Sequence, residues 1–275
     1  MNAFEVKLKA RQFGADLVGI ASMESFNGVA PANHPAGIFP QGRCVIVIGR
    51  KIPRGTLRME ETCHVQKNDP YHFFGFTQLE DQFLTKSTYD LCVWIESQGF
   101  EAVPMFGYDA EAAANFQLAS PVSEGKPAPN VYVDYQIAAQ AAGLGSIGQN
   151  GIFLTKEYGP LQRFSMLICD DELECDAPIL LDFCNDCQEC KNACPLAALG
   201  DIADAKGVVQ QKAPRFRRDN SRCKVCQTGA WATDIGRFET VDRFAAACCR
   251  ACLASLERRG LLTHKMNQPF RQEAR

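Results

Sequence analysis

The sequence predicts a mixed α/β (α+β) cofactor-binding domain followed by a smaller, cysteine-built unit, and three observations carry that prediction. Short apolar strands alternate with amphipathic helical stretches through the first 175 residues. A glycine-dense turn, Ala142 to Gly151, lies near the end of that region. Nine of the chain's 14 cysteines then fall between Cys184 and Cys252. The 275 residues divide accordingly into 1–175 for the α/β domain, 176–256 for the cysteine-rich domain and 257–275 for a polar surface tail. With 46% hydrophobic residues the chain can bury a sizeable core.

Phe4 to Phe13 mixes apolar and charged residues on a helical period, with Gly14 as its stop. Leu17 to Ala21 reads as a short buried strand, and residues 27–43, rich in Gly, Pro and Asn, as loop. Cys44 to Gly49 (CVIVIG) is the strongest strand signal. Residues 53–76 read as irregular, with an aromatic cluster at Tyr71, His72, Phe73, Phe74 and Phe76. Gln78 to Gln98 reads as a long amphipathic helix closed by Gly99, followed by a strand over Glu101 to Met105. Residues 119–130 form a loop before a helix at Val133 to Ala142. Two strands follow, Gly151 to Thr155 and Phe164 to Cys169, joined through the turn Glu157-Tyr158-Gly159-Pro160.

Cys184, Cys187, Cys190 and Cys194 stand as Cys-x2-Cys-x2-Cys-x3-Cys before Pro195. This is the bacterial ferredoxin-type pattern for a [4Fe–4S] cluster, in which the fourth cysteine serves a second cubane. Pro195, with no N–H and a φ suited to a first helical turn, makes the chain turn sharply there. The second cubane needs three more thiolates besides Cys194. Cys223 and Cys226 form one tight pair, and two of Cys248, Cys249 and Cys252 complete the set. The natural sorting puts Cys184, Cys187 and Cys190 with one distal cysteine, and Cys194 with the other three; either Cys248 or Cys249 is spare. One cubane with a nearby structural or redox pair is the alternative. Cys44, Cys63, Cys92, Cys169 and Cys175 are dispersed, and Cys44 and Cys92 read as small buried hydrophobes.

Met1 to Arg11 does not read as a signal peptide, and no apolar run is long enough to span a bilayer. With this cysteine usage, a reducing cytoplasm is the expected home. A net charge of −3 argues against nucleic acid as the partner of the whole chain. Lys212, Arg215, Arg217, Arg218, Arg222 and Lys224 nonetheless form a basic run that could meet an anionic substrate, RNA phosphate or an acidic ferredoxin. A solvated loop offsetting the charge of thiolate-ligated clusters is its plainer reading. His34, His64, His72 and His264 lack ligand spacing.

The glycine turn contains Gly-x-Gly-x-x-Gly, but here the glycines follow a helix and precede a strand. That is the reverse of the order that presents a helix N-terminus to a pyrophosphate. It reads instead as a backbone-lined site for a flat cofactor or substrate, or as a tight turn with no ligand. The order AGLGSIGQNGIFLTKEYGP, an acidic spacer, then CNDCQECKNACP resembles the core of the epoxyqueuosine reductase and corrinoid reductive dehalogenase superfamily. The opening helix, GADLVGIA and CVIVIG are similar to that superfamily's N-terminal half, so the resemblance spans roughly residues 4 to 252.

The resemblance implies a nitroreductase-like domain holding a base-off cobamide (cobalamin) and a ferredoxin-like domain with two [4Fe–4S] clusters. Electrons would pass from an external donor such as ferredoxin or flavodoxin, through both clusters, to cobalt and a small-molecule substrate. Gly143, Leu144, Gly145, Gly148, Asn150 and Gly151 would line the corrin face. Epoxyqueuosine reductases carry an acid further upstream of this turn, which leaves Asp134 and Tyr135 as the nearest candidates for a general acid. A helix-capping Asp and a packed Tyr are the plainer reading of that pair. The insert between Cys226 and Cys248 is also longer than in the resembling proteins. The expected function is reduction of a cobamide or directly of a small substrate; the alternative is an electron-transfer or reductive-activation partner of a separate corrinoid protein. A redox sensor is a third reading.

Overall fold

The computed structural model describes residues 1–62, 70–106, 131, 133–203, 215–233 and 240–271. The aliphatic segments at Leu17–Ser22 (β1) and Cys44–Lys51 (β2) pair antiparallel, from Leu17 opposite Gly49 to Ser22 opposite Cys44. Ala102–Met105 (β3) lies at the far side of the sheet. Two short strands, Ser146–Ile147 (β4) and Phe153–Leu154 (β5), form a separate hairpin, and Gln162–Cys169 (β6) returns to the main sheet. The order is β1-β2-β6-β3, antiparallel throughout. The layered α/β reading therefore resolves to α+β: no parallel crossover joins these strands.

The sheet is buried on both faces, which explains why CVIVIG is apolar without alternation. Val18, Ile20, Ile46, Ile48 and Leu167 face Ala3–Gln12 (α1) and Thr85–Ser97 (α3), against Val6, Ala10, Leu91 and Ile95. Leu17, Ala21, Val45, Val47, Met166 and Ile168 face Tyr135–Ala141 (α4), against Ile137, Ala138 and Ala141. Arg58–Thr62 (α2) lies between β2 and the aromatic segment.

That aromatic segment departs from its sequence reading. Tyr71–Thr77 and Leu79–Leu84 wind in wide i→i+5 turns that lead into α3, so the cluster is helical. Thr77 and Thr85 each donate a hydroxyl to the carbonyl five residues back, on His72 and Glu80. Such turns lack a hydrophobic period and are hard to read from sequence. The helix expected at Val133 starts at Tyr135, and the strand expected over Gly151 to Thr155 contracts to Phe153–Leu154.

The remaining elements are short: Glu189–Asn192 (α5), Leu199–Ala203 (β7) paired with Arg215–Arg218 (β8), Asn220–Lys224 (α6), and Trp231–Thr233 (β9) paired with Thr240–Asp242 (β10). The longer Ala247–Arg258 (α7) closes the cysteine-rich region. Its Leu253, Ala254 and Leu256 share a core with Ile52, Leu57, Tyr71, Leu154 and Leu161 of the first 175 residues. The tail joins that core as well: Phe270 is buried, and Arg58 donates to the carbonyls of Pro269 and Phe270.

A polar seam ties the two regions. Arg163 on β6 is buried, donates to Gly75 O at 2.7 Å and Glu80 at 2.8 Å, and pairs with Asp242 of β10 at 2.5 Å. Tyr71 Oη donates to the same Asp242 and accepts from Arg163 at 2.9 Å. The guanidinium lies against the rings of Phe76 and Phe244. Burial pushes the Tyr71 hydroxyl far above its ordinary range, with the Asp242 carboxylate adding to it.

The borders of the sheet are also occupied. Outside β1, Asp176 donates its N–H to Ile20 O and accepts the Ile20 N–H on its carboxylate, both at 2.8 Å, while Lys7 pairs with it at 2.6 Å. On the other side β3 carries Pro104, which has no N–H to offer. Among the described residues, no helix is long and apolar enough to cross a membrane. The expected loop at 119–130, Cys63, His64 and Lys212 lie outside the described residues.

Candidate metal centre

The loop from Cys184 to Cys194 is built to wrap. Asp186 adopts φ 53°, a left-handed turn between Cys184 and Cys187, and Ala197 adopts φ 47° just beyond Pro195. The chain after Pro195 makes a turn into β7 instead of the helix its ring would suit. Arg222 clamps that turn from α6, donating to the carbonyls of Leu196 and Ala197.

Cys184, Cys187 and Cys190 line one cavity together with Cys252, which α7 delivers from the far end of the sequence. Gln149, Asn150 and Ser255 complete its polar wall. Gln149 N–H points to Cys184 Sγ at 3.5 Å, and Ser255 Oγ lies 3.8 Å from Cys187 Sγ. Cys194 does not line that cavity; burial raises the Cys223 and Cys248 thiols, and the Cys194 thiol adds to both shifts. Ala198 N–H donates to Cys194 Sγ at 3.2 Å, and Cys226 Sγ lies 3.1 Å from Thr228 Oγ1. The sets meet where Cys190 and Cys248 pack with Leu199, Phe216 and Ala246. Cys249, the neighbour of Cys248, is fully buried beside Asp242, Arg243 and Arg250 and does not line the cavity.

Burial, reinforced by neighbouring thiols, pushes Cys190 up to about 12 and Cys252 well above the ordinary thiol range. Bare, these sulfurs stay protonated; iron is the kind of charge that would hold them as thiolates. Among the described residues, no three His, Cys, Asp or Glu side chains converge as they would on a single ion. Four thiols lining one cavity are the donor set a four-iron cluster would take, so the residues fit it by chemistry.

The glycine turn closes on its own chain. A Cβ on Gly143, at φ 70°, would meet Ala177 O at 2.6 Å, and one on Gly145 would strike Leu154 O. Gly148 packs on Leu154, Asn150 and Ile152, and Gly151 takes φ 76° to complete the turn. Leu144 packs into the core behind the sheet. On the sides where a Cβ would stand, Gly143 and Gly145 are thus closed by their own chain, and Gly143 and Leu144 stay half-buried. Asp134 caps α4, accepting the N–H groups of Gln136 and Ile137, and is buried. Tyr135 is half-buried near Phe164, and its hydroxyl accepts from Gln136 Nε2 at 3.3 Å.

Of the histidines, His34 caps a turn at Ala36, His72 stacks on Trp231, and His264 bonds to Lys51. Sequence reasoning missed Ser255, one helical turn beyond Cys252, and Arg243, which is buried and donates to Asn150 O at 3.0 Å. The i+3 spacing from Cys252 could have found Ser255; nothing local marks Arg243.

Comparison with known proteins bears on this arrangement. No family model matches the chain. Over 122 residues it is 31% identical to the tetrachloroethene reductive dehalogenase of Dehalobacter restrictus, a stretch covering 42% of this chain and 20% of that protein. Over 126 residues it is 31% identical to the epoxyqueuosine reductase of Gloeobacter violaceus, covering 39% of each. The chain is similar to both kinds of reductase. It spans a fifth to two-fifths of the length of these curated relatives. Its fold is similar to that of a catabolic reductive dehalogenase solved in complex with 3-bromo-4-hydroxybenzoic acid, with a TM-score of 0.53, 19% identity, and coverage of 82% of this chain and 29% of that one. An epoxyqueuosine reductase from Streptococcus thermophilus matches with a TM-score of 0.50 and 19% identity, over 71% of this chain and 52% of that one.

Proposed function

We propose that the chain is an iron–sulfur reductase, built from a nitroreductase-like α/β domain and a ferredoxin-like domain with two [4Fe–4S] clusters. One observation carries this reading: Cys184, Cys187, Cys190 and Cys252 line one cavity, which leaves Cys194 for the set of Cys223, Cys226 and Cys248. The first four thiolates hold one cubane and the second four hold the other, with Cys249 left as a buried free thiol. When bound, such clusters carry single electrons at low potential. The chain's own residues hold the thiolates, exclude water around them and donate N–H groups to sulfur, as Gln149 and Ala198 do to Cys184 and Cys194. Cys190 and Cys248 belong to one buried cluster, and that proximity of the two sets suits electron transfer between them.

An external carrier such as ferredoxin or flavodoxin supplies the electrons in a reducing cytoplasm, and a small substrate reduced by bond cleavage receives them. Tyr135 is the candidate to hold a proton at its Oη, because the Asp134 carboxylate is engaged in capping α4. A reductive dehalogenase that matches this fold is described as B12-dependent. Gly143 and Gly145 close against Ala177 and Leu154 of their own chain, which speaks against a corrin lying on this turn. That same closure favours the second reading, an electron-transfer or activation partner of a separate corrinoid protein.

The deciding experiment is an anaerobic optical spectrum with iron and cobalt counts, on protein expressed with cobalamin available. About eight irons per chain are expected for two cubanes. No iron–sulfur bands would overturn the proposal. Stoichiometric cobalt with base-off bands would restore the cobamide to the α/β domain. Iron without cobalt, together with reduction of an added corrinoid protein, would favour the partner reading.

A further inference from the structure

Asn150 lines the cavity that Cys184, Cys187, Cys190 and Cys252 surround, and it is only 3% exposed. Both of its oxygens are engaged. Oδ1 accepts the Ile152 N–H at 3.0 Å, and the main-chain oxygen accepts from Arg243 Nη2 at 3.0 Å. The first of these bonds fixes which end of the carboxamide is which, since only the oxygen can accept. The Nδ2 group is buried and has no acceptor among the described residues. A buried amide donor without a partner is unfavourable, so an acceptor is expected where it sits. Four of the ten residues lining that cavity are cysteines, and the preceding residue directs its backbone N–H at Cys184 Sγ.

Resting on the cluster assignment above, we infer that Asn150 Nδ2 donates a hydrogen bond to sulfur of the cubane held by Cys184, Cys187, Cys190 and Cys252, and so raises that cluster's reduction potential. The couple is [4Fe–4S]2+ to [4Fe–4S]+, one electron and no proton. The added electron spreads onto sulfur, so an N–H donor stabilises the reduced form more than the oxidised one. Asn150 is a positioning residue for the redox poise of the electron path. It contributes no atom to the substrate's chemistry.

The test is an anaerobic potentiometric titration with dithionite, followed by electron paramagnetic resonance, on the full chain with its iron counted. Asn150→Ala removes the donor and the Ile152 contact; Asn150→Asp keeps an oxygen for Ile152 and adds a negative charge. One of the two couples should fall by about tenfold in its equilibrium constant, ~59 mV, in Asn150→Ala. It should fall further in Asn150→Asp, and the other couple should stay in place. Wild-type protein carrying 15N-asparagine should show a weak nitrogen coupling to the reduced cluster that Asn150→Asp abolishes, a signature that a structural role alone would not produce. Unmoved potentials in iron-replete variants, or no such coupling, overturn the inference while the cluster assignment stands. A wild-type chain that binds no iron, or a Cys252→Ser variant that retains both couples, removes the assignment itself.

Discussion

Strand β2 buries Cys44 to Gly49 without a break between helices on both sides, whereas among the described residues Cys190 and Cys248 share a small buried cluster with Leu199, Phe216 and Ala246. The sheet is stabilised by apolar area removed from water and by ladders of backbone hydrogen bonds. Outside α7 the cysteine-rich region has short elements and thiols that stay protonated when bare, so on the proposed reading its cohesion rests partly on what the thiols bind. In such a region, metal binding is folding free energy. On that reading, one chain holds a core made by its own side chains beside one that a cluster would complete.

Removing iron with chelator and oxidant should produce the largest contrast. Amide hydrogen exchange should accelerate through Cys184 to Cys249 and stay slow in β1, β2 and β6. Equal loss of protection in both regions would break the comparison. The reciprocal pair of substitutions sharpens it. Ile46→Ala, at a fully buried sheet position, should cost about 2–5 kcal/mol in denaturant unfolding and leave the iron count intact. Cys190→Ser should release about four of eight irons, Cys249→Ser none. Retention of all iron in Cys190→Ser would refute the ligand sorting.

The seam offers a third test. Arg163→Met leaves Asp242 buried without its cation, and should cost about 3–5 kcal/mol. Because Arg163 links both regions, calorimetry should show the unfolding transition broaden or split. Asp134→Ala should have the smallest effect, about 1 kcal/mol for a lost helix cap, with Asp134→Asn close to wild type in stability and turnover. A large loss of turnover in a stable Asp134→Asn protein would return the carboxyl to the chemistry.

What was legible in the sequence follows the same division. CVIVIG announced itself because burial on two faces leaves an unbroken apolar run. The spacing of Cys184 to Cys194 is local and was readable as a ligand loop. Cys248 and Cys249 were not separable, since adjacent helical residues point about 100° apart and only packing selects between them. The antiparallel strand order was hidden because helices between strands look the same whether or not the chain crosses over. Asp134 stood before a helix, where a cap is the ordinary expectation, yet its carboxyl also invited an acid–base role. The Arg163–Asp242 pair joins residues 79 apart, and no local pattern marks either one.

Asp176 outside β1 and Pro104 within β3 have a consequence for how other chains can meet this one. A sheet with open borders can recruit a partner by strand addition, or adhere to its own copies and aggregate. Here Asp176 engages both polar groups of Ile20, and Pro104 leaves a gap in the donor row at the other border. A protein partner is therefore left to dock through side-chain surfaces, where charge and shape set the encounter. Borders blunted in this way also keep copies of the sheet from pairing edge to edge.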